Sequence, residues 1–312
     1  MVAGRLAFVF PGQGSQKAGM AAELLAAEPA ARALFARANE VMGLDLAEIC
    51  CTGDEATLTR TEVAQPALLA TSLAWIETLA ARGVQPELVA GHSLGEFAAW
   101  ATAGVLTFED TLRLLKRRAA LMEQAATQRP GGMVAVIGLA DERVTELCTE
   151  ARAAGEVVVA NCNGPGQVVV SGEPAALEKV AELVKAARGR ALPLRVSGAF
   201  HSPLMQDAAQ EFAALIATAT LREPVIPVVA NATAELVTTA EGVREVMARQ
   251  MASPVYWSRS VQTLLGQGVT TFLEVGPGQV LTKLIKRIAP EACARAVGAP
   301  VELNTLSQEI GK

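Results

Sequence analysis

Leu88-Val89-Ala90-Gly91-His92-Ser93-Leu94-Gly95-Glu96-Phe97 is the stretch on which the reading of this 312-residue chain turns. Three apolar residues suited to a buried strand run into Gly-x-Ser-x-Gly, and an apolar helical pattern follows. A serine on such a strand-to-helix turn sits on strained backbone with its hydroxyl exposed, and the flanking glycines admit neighbouring backbone. The helix beyond aims its free N–H groups at the same point, where an oxyanion would form. The pentapeptide is common by chance; its place between strand and helix gives it weight.

Outward from there, strand, glycine turn and helix recur. Residues 5–10 read as a strand ending in Pro11-Gly12-Gln13-Gly14, and helical patterns fill about 19–82 with breaks near Gly43 and Gly53. Thr107, with Asp110 three residues on, carries the capping signature of another helix. Thr271 to Val275 reads as a third buried strand, ending in Gly276-Pro277-Gly278 before a basic amphipathic helix. Three such units predict a parallel α/β sheet.

The middle of the chain follows another rhythm. Strand 133–138, helix 141–154, strands 156–161 and 167–171, helix 174–188 and strand 191–197 give β-α-β-β-α-β, the ferredoxin-like order. Ser202 and Pro203 then open a helix with Met205, Ala209, Phe212 and Ile216 on one face. The expectation is a small domain at 129–197 inserted into a large, discontinuous one made of 1–128 and 198–312.

Composition narrows the function classes. Half the residues are apolar (51%) and the formal charge is −5, which argues against a dedicated nucleic-acid binder. Five cysteines without C-x-x-C spacing read as free thiols in a reducing compartment rather than a disulfide framework or zinc site. The apolar runs Val63–Ile76 and Phe97–Phe108 are too short to span a bilayer, and the N-terminal run is too short for a signal peptide. A soluble cytoplasmic protein is expected.

Ser93 needs a base, and His92 and His201 are the only histidines. His92 is adjacent to the serine, and adjacent side chains diverge on a tight turn. His201, just before a capped helix, is the better candidate; the alternative is a histidine hydrogen-bonded to local backbone. No carboxylate stands out as a third member, and Asp207 is expected to face solvent. On a helical wheel Arg118 falls among Leu114, Leu115 and Leu121, while Arg113, Lys116 and Arg117 share an outer side. An inward guanidinium needs an anionic partner, either a structural Asp or Glu or a carboxylate on the substrate.

The Gly12-Gln13-Gly14 turn lacks the Gly-Lys-Ser/Thr of a phosphate loop, and Lys17 stands where a dinucleotide fingerprint needs Gly. It remains a turn at the carboxyl end of a strand, where ligands of open α/β sheets collect. Lys283, Lys286 and Arg287 share one helix face, and Lys185, Arg188 and Arg190 cluster elsewhere; they read as solvated faces or as a surface for an acidic protein.

Taken together, Phe10-Pro11-Gly12-Gln13-Gly14-Ser15-Gln16, Gly91-His92-Ser93-Leu94-Gly95-Glu96, Gly198-Ala199-Phe200-His201-Ser202-Pro203 and Glu274-Val275-Gly276-Pro277-Gly278 resemble the malonyl-CoA:acyl carrier protein transacylases of fatty acid synthesis. The four motifs stand in the family's order and spacing over nearly the whole chain. The resemblance implies an α/β-hydrolase-like large domain with a ferredoxin-like insertion. It implies Ser93 as nucleophile, His201 as base, the Gln250 main-chain carbonyl as the group orienting His201, and the N–H groups of Gln13 and Leu94 as the oxyanion hole. Arg118 matches the malonate-binding arginine, Asn161 and Asn163 the stretch lining the thioester entrance, and Phe200 the malonyl-selective pattern.

The implied reaction moves malonyl from malonyl-CoA to the phosphopantetheine thiol of holo acyl carrier protein through a malonyl-serine. It implies no permanently bound cofactor and no metal, no nucleic-acid or membrane partner, and a monomer. A serine carboxylesterase or thioesterase is the nearest rival. A trans-acting polyketide acyltransferase or the transacylase of malonate decarboxylase would share the same motifs.

Overall fold

The computed structural model describes residues 4–303 and Thr305. Among the described residues, ten strands form two sheets. β1 (Arg5–Phe10), β2 (Leu88–Gly91), β7 (Val228–Val229), β8 (Leu236–Val237), β9 (Val269–Val275) and β10 (Cys293–Val297) make the first, in the order β10-β9-β1-β2-β7-β8. All its pairings are parallel except β7 with β8. β1 and β2 are buried over most of their length, as a strand covered on both faces requires. The second sheet contains β3 (Gly132–Ile137), β4 (Val157–Gly164), β5 (Gln167–Gly172) and β6 (Arg190–Pro193), antiparallel, in the order β4-β5-β3-β6.

The fold is thus the α/β architecture expected, a mostly parallel sheet with a separate antiparallel one. The second sheet and the helices Asp141–Ala151 and Pro174–Ala186 enclose a core of their own, which includes Val136, Val144, Leu147, Val168, Val170 and Val180. Its last strand is shorter than the sequence suggests: β6 stops at Pro193 rather than reaching 197. The reason is its partner. Pro193 pairs with Val134 and the Leu194 N–H still reaches Met133 O, but β3 begins at Gly132, so residues beyond 194 have no ladder to join.

Helices cover the first sheet. Thr61–Ala80 is buried almost all round, in line with its apolar sequence, and packs against Phe108–Gln128. The Thr107 hydroxyl accepts from the Asp110 N–H and caps that second helix. Ser202 likewise accepts from the Leu204 N–H, starting the turn that leads into helix Gln206–Thr218.

The arrangement brings the carboxyl ends of β1, β2 and β9 to one edge, each continuing into a glycine-containing turn. That edge is where open α/β sheets place their ligands. The second sheet is tied to it. The Val255 N–H donates to Ala160 O and the Cys162 N–H to Val255 O, so β4 borders the main chain at Val255. Among the described residues, no helix is long and apolar enough to cross a membrane, and all five cysteines are free.

Candidate active site

Ser93 lies between β2 and the helix Gly95–Thr102, with backbone φ of +52°, a left-handed conformation uncommon for a residue with a Cβ. The turn is tight. A Cβ on Gly91 would lie 2.0 Å from the carbonyl of Gly95, and one on Gly95 would lie 2.2 Å from Phe10 O. Asn231, just beyond β7, pins it: Oδ1 accepts from the Ser93 N–H at 2.7 Å and Nδ2 donates to Gly91 O at 2.6 Å. Sequence reading did not single out Asn231. Its signal is modest: a polar residue directly after the apolar Val228-Val229-Ala230 at the end of a parallel strand.

His201 also has a left-handed backbone, with φ of +57°. Its Nε2 lies 2.7 Å from Ser93 Oγ, so the alternative of a histidine satisfied by local backbone does not hold. Its Nδ1 faces two main-chain carbonyls, Gln250 O at 3.2 Å and Ser253 O at 3.0 Å. Acceptors there require the proton on Nδ1 and leave Nε2 free to accept from the serine hydroxyl. Burial, and next the charge of Arg118, push the imidazole down to about 3, although the two carbonyls oppose the shift. The ring is therefore neutral at physiological pH.

Orientation of His201 is shared between Gln250 and Ser253, with Ser253 the nearer, whereas the sequence pointed to Gln250 alone. A main-chain carbonyl leaves no mark in the sequence, since every residue carries one. Asp207 is exposed.

Arg118 is 1% exposed, as its wheel position requires. Its Nη1 donates to Gln65 Oε1 at 2.8 Å, and its Nη2 donates to Gln250 Oε1 at 3.0 Å and to Ser93 Oγ at 3.3 Å. The guanidinium stands 5.5 Å over the Phe97 ring centroid. Among the described residues it has no carboxylate in direct contact, and Nε has no hydrogen-bond partner. Burial lowers its pKa to about 10 against the opposing pull of Glu96, so it stays charged at neutral pH. Gln65 was missed in the sequence, although a lone amide within the apolar run 63–76 is a signal of sorts.

A cleft of about 240 Å³ opens over these groups, between the two sheets. Gln13, Ser93, Leu94, Arg118, Phe200 and His201 line one side, and Met133, Asn161, Asn163, Val169 and Leu194 the other. Gln250 is not on its wall. Instead its side-chain Nε2 donates to Ser93 O at 2.8 Å and to Glu96 Oε2 at 2.7 Å. Among the described residues the main-chain N–H groups of Gln13 and Leu94 have no internal acceptor. His92 hydrogen-bonds Asn163 Oδ1 through Nε2 at 2.8 Å, joining the serine turn to β4. Asn161 meets the main chain of Val255.

Chemically, a hydroxyl beside a neutral imidazole, two free N–H groups and a buried cation can accept an acyl group that itself bears a negative charge. No three His, Cys, Asp or Glu side chains among the described residues are grouped so as to hold a metal ion.

The family model described as acyl transferase domain matches residues 7–301. The chain is 42% identical to the malonyl CoA-acyl carrier protein transacylase of Salmonella typhimurium, over 96% of this chain and 98% of that protein. It is 38% identical to the Bacillus subtilis protein of the same name, over 98% of each. Among solved structures, an acyl carrier protein S-malonyltransferase from Vibrio cholerae superposes with a TM-score of 0.93 at 40% identity, covering 97% of this chain and 99% of that one. A malonyl-transacylase in complex with its type II PKS acyl-carrier protein gives 0.95 at 41% identity, covering 98% and 99%.

Proposed function

This chain belongs to the acyl transferase domain family, and on that premise we propose that it transfers malonyl from malonyl-CoA to the phosphopantetheine thiol of holo acyl carrier protein, supplying extender units for fatty acid synthesis. The observation carrying this reading is that one hydroxyl, Ser93 Oγ, lies within reach of both an imidazole at 2.7 Å and a buried guanidinium at 3.3 Å.

His201 Nε2 takes the Ser93 proton as Oγ attacks the thioester carbonyl. The Gln13 and Leu94 N–H groups receive the oxyanion; losing one such donor typically costs about 3 kcal/mol of transition-state stabilisation. The C–S bond breaks, His201 passes its proton to the coenzyme A sulfur, and a malonyl-serine ester remains. The carrier-protein thiol then enters the cleft past Asn161 and Asn163 and gives its proton to His201 as its sulfur attacks the ester carbonyl. The C–O bond to Ser93 breaks, His201 returns the proton to Ser93 Oγ, and the malonyl group leaves as the carrier-protein thioester. Arg118 binds the free malonyl carboxylate, which supplies the anionic partner its buried charge lacks, and Phe200 closes the acyl pocket. Gln250 and Ser253 keep His201 in the tautomer the proton transfer needs. The small unit, 129–197, and the large one, 1–128 with 198–312, form the two walls of the cleft.

Intact mass spectrometry after exposure to malonyl-CoA tests the reading. The expected result is one malonyl adduct on the wild type, none on Ser93→Ala, and discharge on adding holo carrier protein. Release of free malonate instead of transfer would make the protein a thioesterase.

A further inference from the structure

Glu96 directly follows the serine motif, and the mechanism above gives it no task, yet it is buried to 1% exposure. Its Oε1 accepts from the Asn231 N–H at 2.8 Å and its Oε2 from Gln250 Nε2 at 2.7 Å. The Gln250 amide is fixed at both ends. Its nitrogen faces two acceptors, Glu96 Oε2 and Ser93 O, and its oxygen faces a donor, Arg118 Nη2. Only one orientation of the amide satisfies all three.

We propose that Glu96 is a positioning residue for acyl-group selectivity: its carboxylate, acting through the Gln250 amide, keeps that amide's oxygen turned to Arg118 and so holds the guanidinium in place for a substrate carboxylate. A buried arginine without an anion in contact is costly, and Glu96 supplies that anion one amide away. The two groups feel each other, since Arg118 is among the groups that draw Glu96 down against the burial that raises it to about 7. The inference rests on Arg118 as the carboxylate site. It competes with a simpler role in which Glu96 only braces Asn231 and the serine turn.

Glu96→Gln separates the two. One edge of the new amide still accepts from Asn231, but the other presents NH2 to the NH2 of Gln250. The Gln250 amide must then rotate and turn its own NH2 toward Arg118. Acylation by malonyl-CoA and by acetyl-CoA is measured on the same preparation. The expected result is a fall of about tenfold or more in the malonyl-to-acetyl ratio of kcat/KM, the scale of one charged hydrogen bond, expressed mainly in the KM for malonyl-CoA. An unchanged ratio, including an equal loss with both acyl groups, overturns the proposal.

Gln250→Leu keeps the main-chain carbonyl that orients His201 while removing the amide, so it too should lower the ratio. Adding Glu96→Gln to it should change the ratio no further, because the connection is already cut. A further fall in the double variant overturns the relay. Should Glu96→Gln fail to fold, the Gln250→Leu ratio decides alone. If wild-type Ser93 takes no malonyl group, the parent reading falls; if it does and the ratios stay put, only this inference falls.

Discussion

Ser93 and His201, whose side chains meet at 2.7 Å, both hold their backbones in the left-handed region, at φ of +52° and +57°. Each such residue costs on the order of 1–3 kcal/mol and persists only where its surroundings over-determine it. Asn231 does this for Ser93, and the Gln250 and Ser253 carbonyls hold the imidazole of His201. Both halves of the proposed reacting pair are thus set in the free protein, which would spare the reorganisation a flexible pair needs.

Asn231→Ala should expose that dependence. It removes the acceptor for the Ser93 N–H and the donor to Gly91 O, each leaving a buried group unpaired at about 1–3 kcal/mol. The expected outcome is a lowered melting temperature and acylation slowed by roughly tenfold or more, alike for malonyl- and acetyl-CoA. Normal acylation would mean that the turn holds its own shape.

Gly91→Ala is expected to be far worse, because the added methyl would overlap the Gly95 carbonyl at 2.0 Å and only backbone could yield. A loss of about 3 kcal/mol or more, with no serine adduct, should follow. Gly266→Ala is the control: a methyl added there would meet no neighbouring heavy atom within 4 Å, and denaturant melts should barely change.

Replacing Arg118 with Ala should cut malonyl transfer and raise acetyl transfer relative to it. Charged hydrogen bonds to the malonyl carboxylate are worth about 1.5–3 kcal/mol each, so the ratio should fall by tenfold or more. Competition assays with both thioesters measure it, and an unaltered preference would remove Arg118 from the acyl pocket.

The pH profile follows from His201. Its pKa is pushed to about 3, and a base is active when unprotonated, so lowering the pKa extends activity toward acid. Acylation by acetyl-CoA, which makes no demand on Arg118, should keep its rate as pH falls through the ordinary histidine range near 6.5 and decline only well below it. A limb at or above that range in kcat/KM would show the imidazole to be more solvated than its burial indicates.

What the sequence alone determined are the features written in neighbouring residues. Glycine turns after apolar strands, the Thr107 and Ser202 caps and the β-α-β-β-α-β run reveal themselves within short windows, because strand period, capping and turn chemistry act over a few residues. The inward face of Arg118 was legible for the same reason. Between 218 and 271 no element was assigned: β7 and β8 are two residues each, too short for any period to show, and the ten-residue helices Ala240–Arg249 and Trp257–Gly266 went unread.

Only the tertiary structure decided the company these residues keep. It gave His201 a second carbonyl from Ser253, a main-chain group identical at every position, and it faced Arg118 with amides from Gln65 and Gln250 where a structural Asp or Glu was one of the two partners expected. It also put Asn231 and Glu96 behind the serine, 138 residues from Ser93 in one case and three in the other. Hydrogen bonds depend on distance and direction in space, and chain order fixes neither until the sheets have packed.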